Sequence, residues 1–143
     1  MISSLKPTLL LQNSLFSTMN KNELLQLFKD NLVKFMTALS ERYNEPDFHV
    51  LRIFFSVEIP IEEAMIVFSE RILPHAKMVE EKDGKFFLEC GDLFEGIQRD
   101  KVHYFKNLWL SSDLTEDDRE TLWKWFRLFL KLAQKYRTLC SQK

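Results

Sequence analysis

Glycine and proline are scarce. Only three glycines, Gly84, Gly91 and Gly96, and four prolines occur in 143 residues. An all-β domain needs many tight turns and usually more of both, so the shortage favours helices. Three scattered glycines also cannot build a P-loop or a dinucleotide fingerprint, since those phosphate cradles need glycines in sets. Cysteine is equally sparse. Cys90 and Cys140 are too few for a disulfide framework, and a reducing compartment fits them. Charge is nearly balanced, with a formal net of −1. That excludes a surface made as a whole to attract polyanions, though not a local basic patch. No apolar run reaches about 18 residues, so no spanning helix is expected.

What is present is apolar and aromatic. The chain is 45% hydrophobic and holds thirteen phenylalanines, which argues against disorder. The length suits one domain. At this size about 70% of the unfolded surface can be buried, enough for a self-sufficient core. The start, MISSLKPTLLLQNSLFSTM, has one lysine ahead of a short apolar run. That run is about five residues, against 7–15 in a signal-peptide core, and no A-x-A site follows. Arginine is absent, which disfavours a mitochondrial presequence. Residues 1–19 therefore read as an arm, loose or packed, ahead of a helical domain spanning 20–143.

Helical periodicity is strongest at the two ends of that domain. In NKNELLQLFKDNLVKFMTALSERY, Asn20 and Glu23 have capping-box spacing. Leu24, Leu25, Phe28, Leu32, Phe35, Met36 and Leu39 then recur at three- and four-residue steps. This predicts a helix over about 20–42. Asp47 can cap a short buried helix through Phe48, Leu51 and Phe55, although its β-branched and aromatic content also suits a strand. Pro60 suits the first turn of a helix whose inner face carries Ala64, Met65, Phe68 and Ile72 and which Pro74 ends or kinks. KDG at 82–84 reads as a turn. Residues 85–100 read as a compact connector, and helical spacing resumes in KVHYFKNLWL. Thr115 caps the last helix, over about 116–138, and Glu116, Asp117 and Asp118 load its first turn with negative charge. The fold class expected is all-α, a compact bundle of five or six helices. Its core is expected to include Phe28, Phe35, Phe68, Phe87, Trp109, Trp125 and Phe129.

No catalytic constellation stands out. His49, His75 and His103 are far apart and lack H-x-x-x-H or C-x-x-C spacing, so no metal site is expected. The acids at Glu80, Glu81, Asp83, Glu89, Asp92 and Glu95 lack the ligand schedule of a calcium loop and read as solvated charge. No G-x-S-x-G elbow occurs, and nothing local marks Cys90 as an activated thiol. No catalytic residue and no cofactor is assigned.

The last helix remains. In WKWFRLFLKLAQKYR, Leu122, Trp125, Phe129, Leu132 and Tyr136 form one stripe, widened by Phe126, Leu130 and Ala133. A stripe this apolar is what a bundle core requires. Trp123 lies about 160° from Trp125 by helical rotation. Both can be buried only if the helix is covered on more than one side. Trp123, Lys124, Arg127 and Lys131 are therefore the candidate interaction surface.

Four stretches occur in order: LLQLFKDNLVKFMTAL, FSERILPHAKMVEEKDGKFFL, FKNLWL and WKWFRLFLKLAQKY. Together they resemble a group of small helical proteins encoded by large DNA viruses of algae and other protists, over about residues 20–137. The pattern F-x-x-x-[IVL]-x-P is matched by Phe68, Ile72 and Pro74, and a following F-F-L by Phe86, Phe87 and Leu88. A K-x-x-W is matched by Lys106 and Trp109, and W-K-[WY]-[FL] by Trp123, Lys124, Trp125 and Phe126. The arm at 1–19 lies outside the resemblance, and Met19 offers an alternative start. The resemblance implies a viral origin, action inside an infected host cell, and a virion or host-interaction role. Three readings of function follow. The first is a non-enzymatic structural or protein-interaction protein, with a protein partner or self-association. The second is nucleic-acid binding through the basic side of the last helix. The third is an enzyme with an unfamiliar site.

Overall fold

The computed structural model describes residues 18–43, 60–86, 109–110 and 114–141. Among the described residues there are helices and no strands. Helix α1 spans Lys21–Tyr43 and α2 spans Ile61–Ile72. A 3₁₀ turn over Leu73–His75 leads into the short α3, Ala76–Glu80. Helix α4 spans Glu116–Ser141, and residues 85–86 and 109–110 are also helical. The expected helix or strand near 47–58 and most of the connector, Phe87 included, lie outside the described residues.

Local chemistry sets the ends of these elements. Asn20 and Glu23 form a reciprocal box: the Glu23 amide donates to Asn20 Oδ1 at 2.8 Å, and the Asn20 amide to Glu23 Oε1 at 3.1 Å. Two otherwise orphaned amides at the start of α1 are thereby satisfied. Pro60 sits one residue earlier than the expected first-turn position. It is the N-cap of α2, with extended backbone, and its carbonyl accepts from the Ala64 amide at 3.1 Å. Pro74 falls in the 3₁₀ turn, where the ring's missing N–H is tolerated and the axis can change between α2 and α3.

The three long helices bury one another. α2 packs on both α1 and α4, and α1 packs on α4. From α1 come Leu24, Phe28, Leu32, Phe35, Met36 and Leu39, all fully or almost fully buried. From α2 come Met65, Phe68 and Ile72. Phe129 of α4 lies at the centre, with the rings of Phe28, Phe35, Phe68 and Phe126 edge-on to it at centroid distances of 5.6–6.1 Å. Tilted and edge-to-face pairs match the quadrupoles of the rings and add about 0.5–1.5 kcal/mol each to the effect of burial. Buried polar groups on these faces turn back to their own helix. Asn31 Nδ2 donates to the Leu27 carbonyl at 2.9 Å, and Ser40 Oγ to the Thr37 carbonyl at 2.9 Å. The helix faces can therefore meet without importing an unsatisfied polar atom from these side chains.

Candidate interaction surface on the C-terminal helix

Helix α4 starts on a second reciprocal cap. The Asp118 amide donates to Thr115 Oγ1 at 3.1 Å, and the Thr115 amide to Asp118 Oδ2 at 3.2 Å. Asp118 is itself buried, so the negative charge sits where the positive end of the helix dipole is strongest. Beyond the cap, Leu122, Trp125, Phe126, Phe129, Leu130, Leu132, Ala133 and Tyr136 are buried, as are Thr121, Trp123 and Leu128. What stays exposed is a ridge through Glu120, Lys124, Arg127, Lys131, Gln134 and Thr138, with Arg137 and Ser141 beside its far end.

Trp123 is therefore not part of the open surface. It is only 3% exposed. Its ring meets Trp109 edge-on at 5.4 Å and lies 6.4 Å from Phe86. The expectation failed because the helix is covered on a second side by residues just after α3 and by Trp109. Trp109, expected in the core, is half-buried at the rim of this second cluster. Arg119 caps it from outside: its guanidinium carbon stands 5.1 Å from the Trp109 ring centroid. Arg119 Nη1 also pairs with Glu116 at 2.9 Å. Gly84 completes the packing. A Cβ there would stand 2.8 Å from Trp109 Nε1, closer than real Cβ contacts come, and 3.0 Å from Cζ2. A glycine in KDG lets Trp109 approach this closely, while the left-handed turn residue is Lys82, with φ 56°.

The three cations of the candidate surface do stand on the ridge. Arg127 Nη2 donates to the Glu80 carbonyl at the end of α3, at 2.6 Å. This meets one of the orphan carbonyls of a helix terminus with a cation, as the dipole favours. Lys124 and Lys131 are exposed and enter no ion pair among the described residues. One turn before Lys124, Glu120 accepts from Lys82 Nζ at 2.8 Å. That bond, with smaller help from the charges of Arg127 and Lys124, holds the Glu120 carboxyl below its ordinary range.

At the other end of α4 the sequence reading missed a junction. Tyr136 Oη donates to Glu62 Oε2 at 2.8 Å, and the same carboxylate oxygen pairs with Lys21. One acid thus ties the first turns of α1 and α2 to the end of α4. Burial, then the bond to Glu62, pushes the Tyr136 hydroxyl above its ordinary value. The Lys21 ammonium is raised chiefly by its bond to Glu62. Next to this junction lies an open groove of about 620 Å³ between α2 and the end of α4, lined by Ile66, Leu73 and Pro74 on one side and Tyr136 and Cys140 on the other. Its one sequence signal was Ile66 on the outer face of an otherwise regular amphipathic helix.

Among the described residues no three His, Cys, Asp or Glu side chains gather as metal ligands. His75 is half-buried, with Nδ1 3.2 Å from the Arg71 carbonyl and its ring near Phe86. Cys140 is a half-buried free thiol, while His49, His103 and Cys90 lie outside the described residues. No helix among the described residues is long and apolar enough to cross a membrane. No known protein family, characterised protein or solved structure matches this chain.

Proposed function

We propose that this chain is a non-enzymatic structural or protein-interaction protein of a large DNA virus. In this reading it is a bundle of five or six helices that docks a protein partner in the virion or the infected cell. The viral assignment rests on the ordered motifs from LLQLFKDNLVKFMTAL to WKWFRLFLKLAQKY. The observation that carries the interaction role is the ridge. Lys124, Arg127 and Lys131 are exposed on a helix whose remaining circumference is largely buried. Arg127 is anchored to α3, so of the three cations it loses the least freedom on binding. An acidic surface on the partner complements them.

Affinity capture from infected cells is the test, comparing the native chain with Lys124→Glu/Lys131→Glu. The expected result is a partner recovered reproducibly by the native chain and lost by the variant at unchanged melting temperature. Equal recovery by both would remove the ridge from the reading. Reproducible absence from purified particles would remove the virion part.

The spacing of the three cations favours nucleic acid as a second reading. They rise about 4.5–6 Å from one to the next along the helix, within reach of successive phosphates. Binding of DNA or RNA that falls steeply with salt would support it, and no binding at low salt would end it.

A further inference from the structure

The outer face of α2 carries a charge pattern that complements the ridge of α4. Glu63 and Glu70 are exposed and seven residues apart, with Ile66 between them at 41% exposure. Lys124 and Lys131 are also exposed and seven residues apart, with Arg127 between them. Seven residues advance a helix by about 10.5 Å and return to nearly the same side, about 20° off. Each pair therefore sets two like charges about one spacing apart on a single helix face.

The neighbouring charges are already used. Glu62 pairs with Lys21, and Glu120 pairs with Lys82. Glu63, Glu70, Lys124 and Lys131 enter no ion pair among the described residues. The two faces thus match each other in spacing and oppose each other in sign, yet do not meet within one chain. Arg127 is turned instead to the Glu80 carbonyl, which fixes its head and leaves its aliphatic stem as the middle of the ridge.

We propose that a second copy of this chain docks on the ridge, with Lys124 and Lys131 of one copy against Glu63 and Glu70 of the other. Whichever way the two helices run, acid meets lysine at both ends. Between them Ile66 lies against the stem of Arg127. A two-fold axis makes the same contact twice. The formal net charge of −1 leaves little overall repulsion between copies. This rests on the ridge being a docking surface and gives that surface its occupant.

Sedimentation equilibrium of the full chain at low ionic strength is the test, with two variants, Lys124→Glu/Lys131→Glu and Glu63→Lys/Glu70→Lys. The native chain should dimerise, and added salt should weaken the dimer. Each variant alone should be monomeric at unchanged melting temperature, because like charges then face each other. An equimolar mixture should recover the dimer. The reversed ridge of one variant then meets the reversed α2 face of the other, and the native faces meet at the second contact. A monomeric native chain at high concentration, a dimer indifferent to either reversal, or a mixture that stays monomeric would overturn the proposal. A foreign partner on the ridge is separable from this result. Its capture would be lost with Lys124→Glu/Lys131→Glu and kept with Glu63→Lys/Glu70→Lys, so the ridge reading can stand where self-association fails.

Discussion

The two tryptophans at 123 and 125 sit two residues apart on one helix and are both buried, yet they belong to different kinds of cluster. Trp125 is fully buried, 5.1 Å from the Phe35 ring and 6.0 Å from Phe129. Its neighbours come from α1 and α4, two long helices with strong apolar stripes. Trp123 instead meets Phe86 and the half-buried Trp109, brought together by a turn, a glycine and an arginine lid. Phe126 joins the two clusters, 5.7 Å from Phe35 on one side and 5.4 Å from Phe86 on the other. The first cluster follows from periodicity along single helices. The second exists only because separate segments converge, so it is the one a reading of any single helix cannot find.

The contrast can be broken by substitution. Trp125→Ala or Phe129→Ala opens a cavity at the junction of the long helices, where few neighbours can move in. A loss of about 3–5 kcal/mol is expected in denaturant unfolding. Trp123→Ala should cost less, about 3 kcal/mol, because its partly exposed neighbour Trp109 can shift into the space. Losses of equal size would mean that the second cluster is as rigid as the first. Gly84→Ala tests that cluster from the opposite direction. The added methyl overlaps Trp109, and overpacking of this sort costs about 1–3 kcal/mol. If the variant is as stable as the native chain, Trp109 does not rest on Gly84.

The smallest effect concerns the Lys82–Glu120 bridge, which ties the turn after α3 to α4. Glu120 titrates below an ordinary glutamate when folded. Its contribution is therefore full above the unfolded carboxylate value and fades as pH falls through the lower folded value. An NMR titration of the Glu120 carboxyl should move back toward the ordinary range in Lys82→Met. An unchanged titration would show that the bridge is not formed in solution.

The long helices were legible because their signals are local. Asn20 with Glu23, and Thr115 ahead of three acids, marked starts that the side-chain bonds occupy. The stripe from Leu122 to Tyr136 marked the buried face, and the expected bounds differ from α1 and α4 by a few residues at most. Trp123 was misplaced because helical rotation gives a direction but not what lies in that direction. Its cover comes from Phe86 and Trp109, and neither spacing nor propensity on α4 reports them. Trp109 was placed too deep for the same reason: an indole in an apolar pattern looks like core until its outer face is seen under Arg119. Pro60 was placed one residue late, since a proline at the cap and one in the first turn look alike in sequence. The Lys21–Glu62–Tyr136 junction joins three helices through polar tips, and polar tips carry no periodic signal.

The central claim is that α4 is covered on both sides around Trp123 and Trp125, which leaves open the ridge on which Lys124, Arg127 and Lys131 stand. Hydroxyl-radical footprinting of the native chain tests it without any substitution, because the three tryptophans share one intrinsic reactivity. Trp109 should be oxidised fastest, with Trp123 and Trp125 both slow. Trp123 oxidised as fast as Trp109 would contradict the account and return that residue to the open surface.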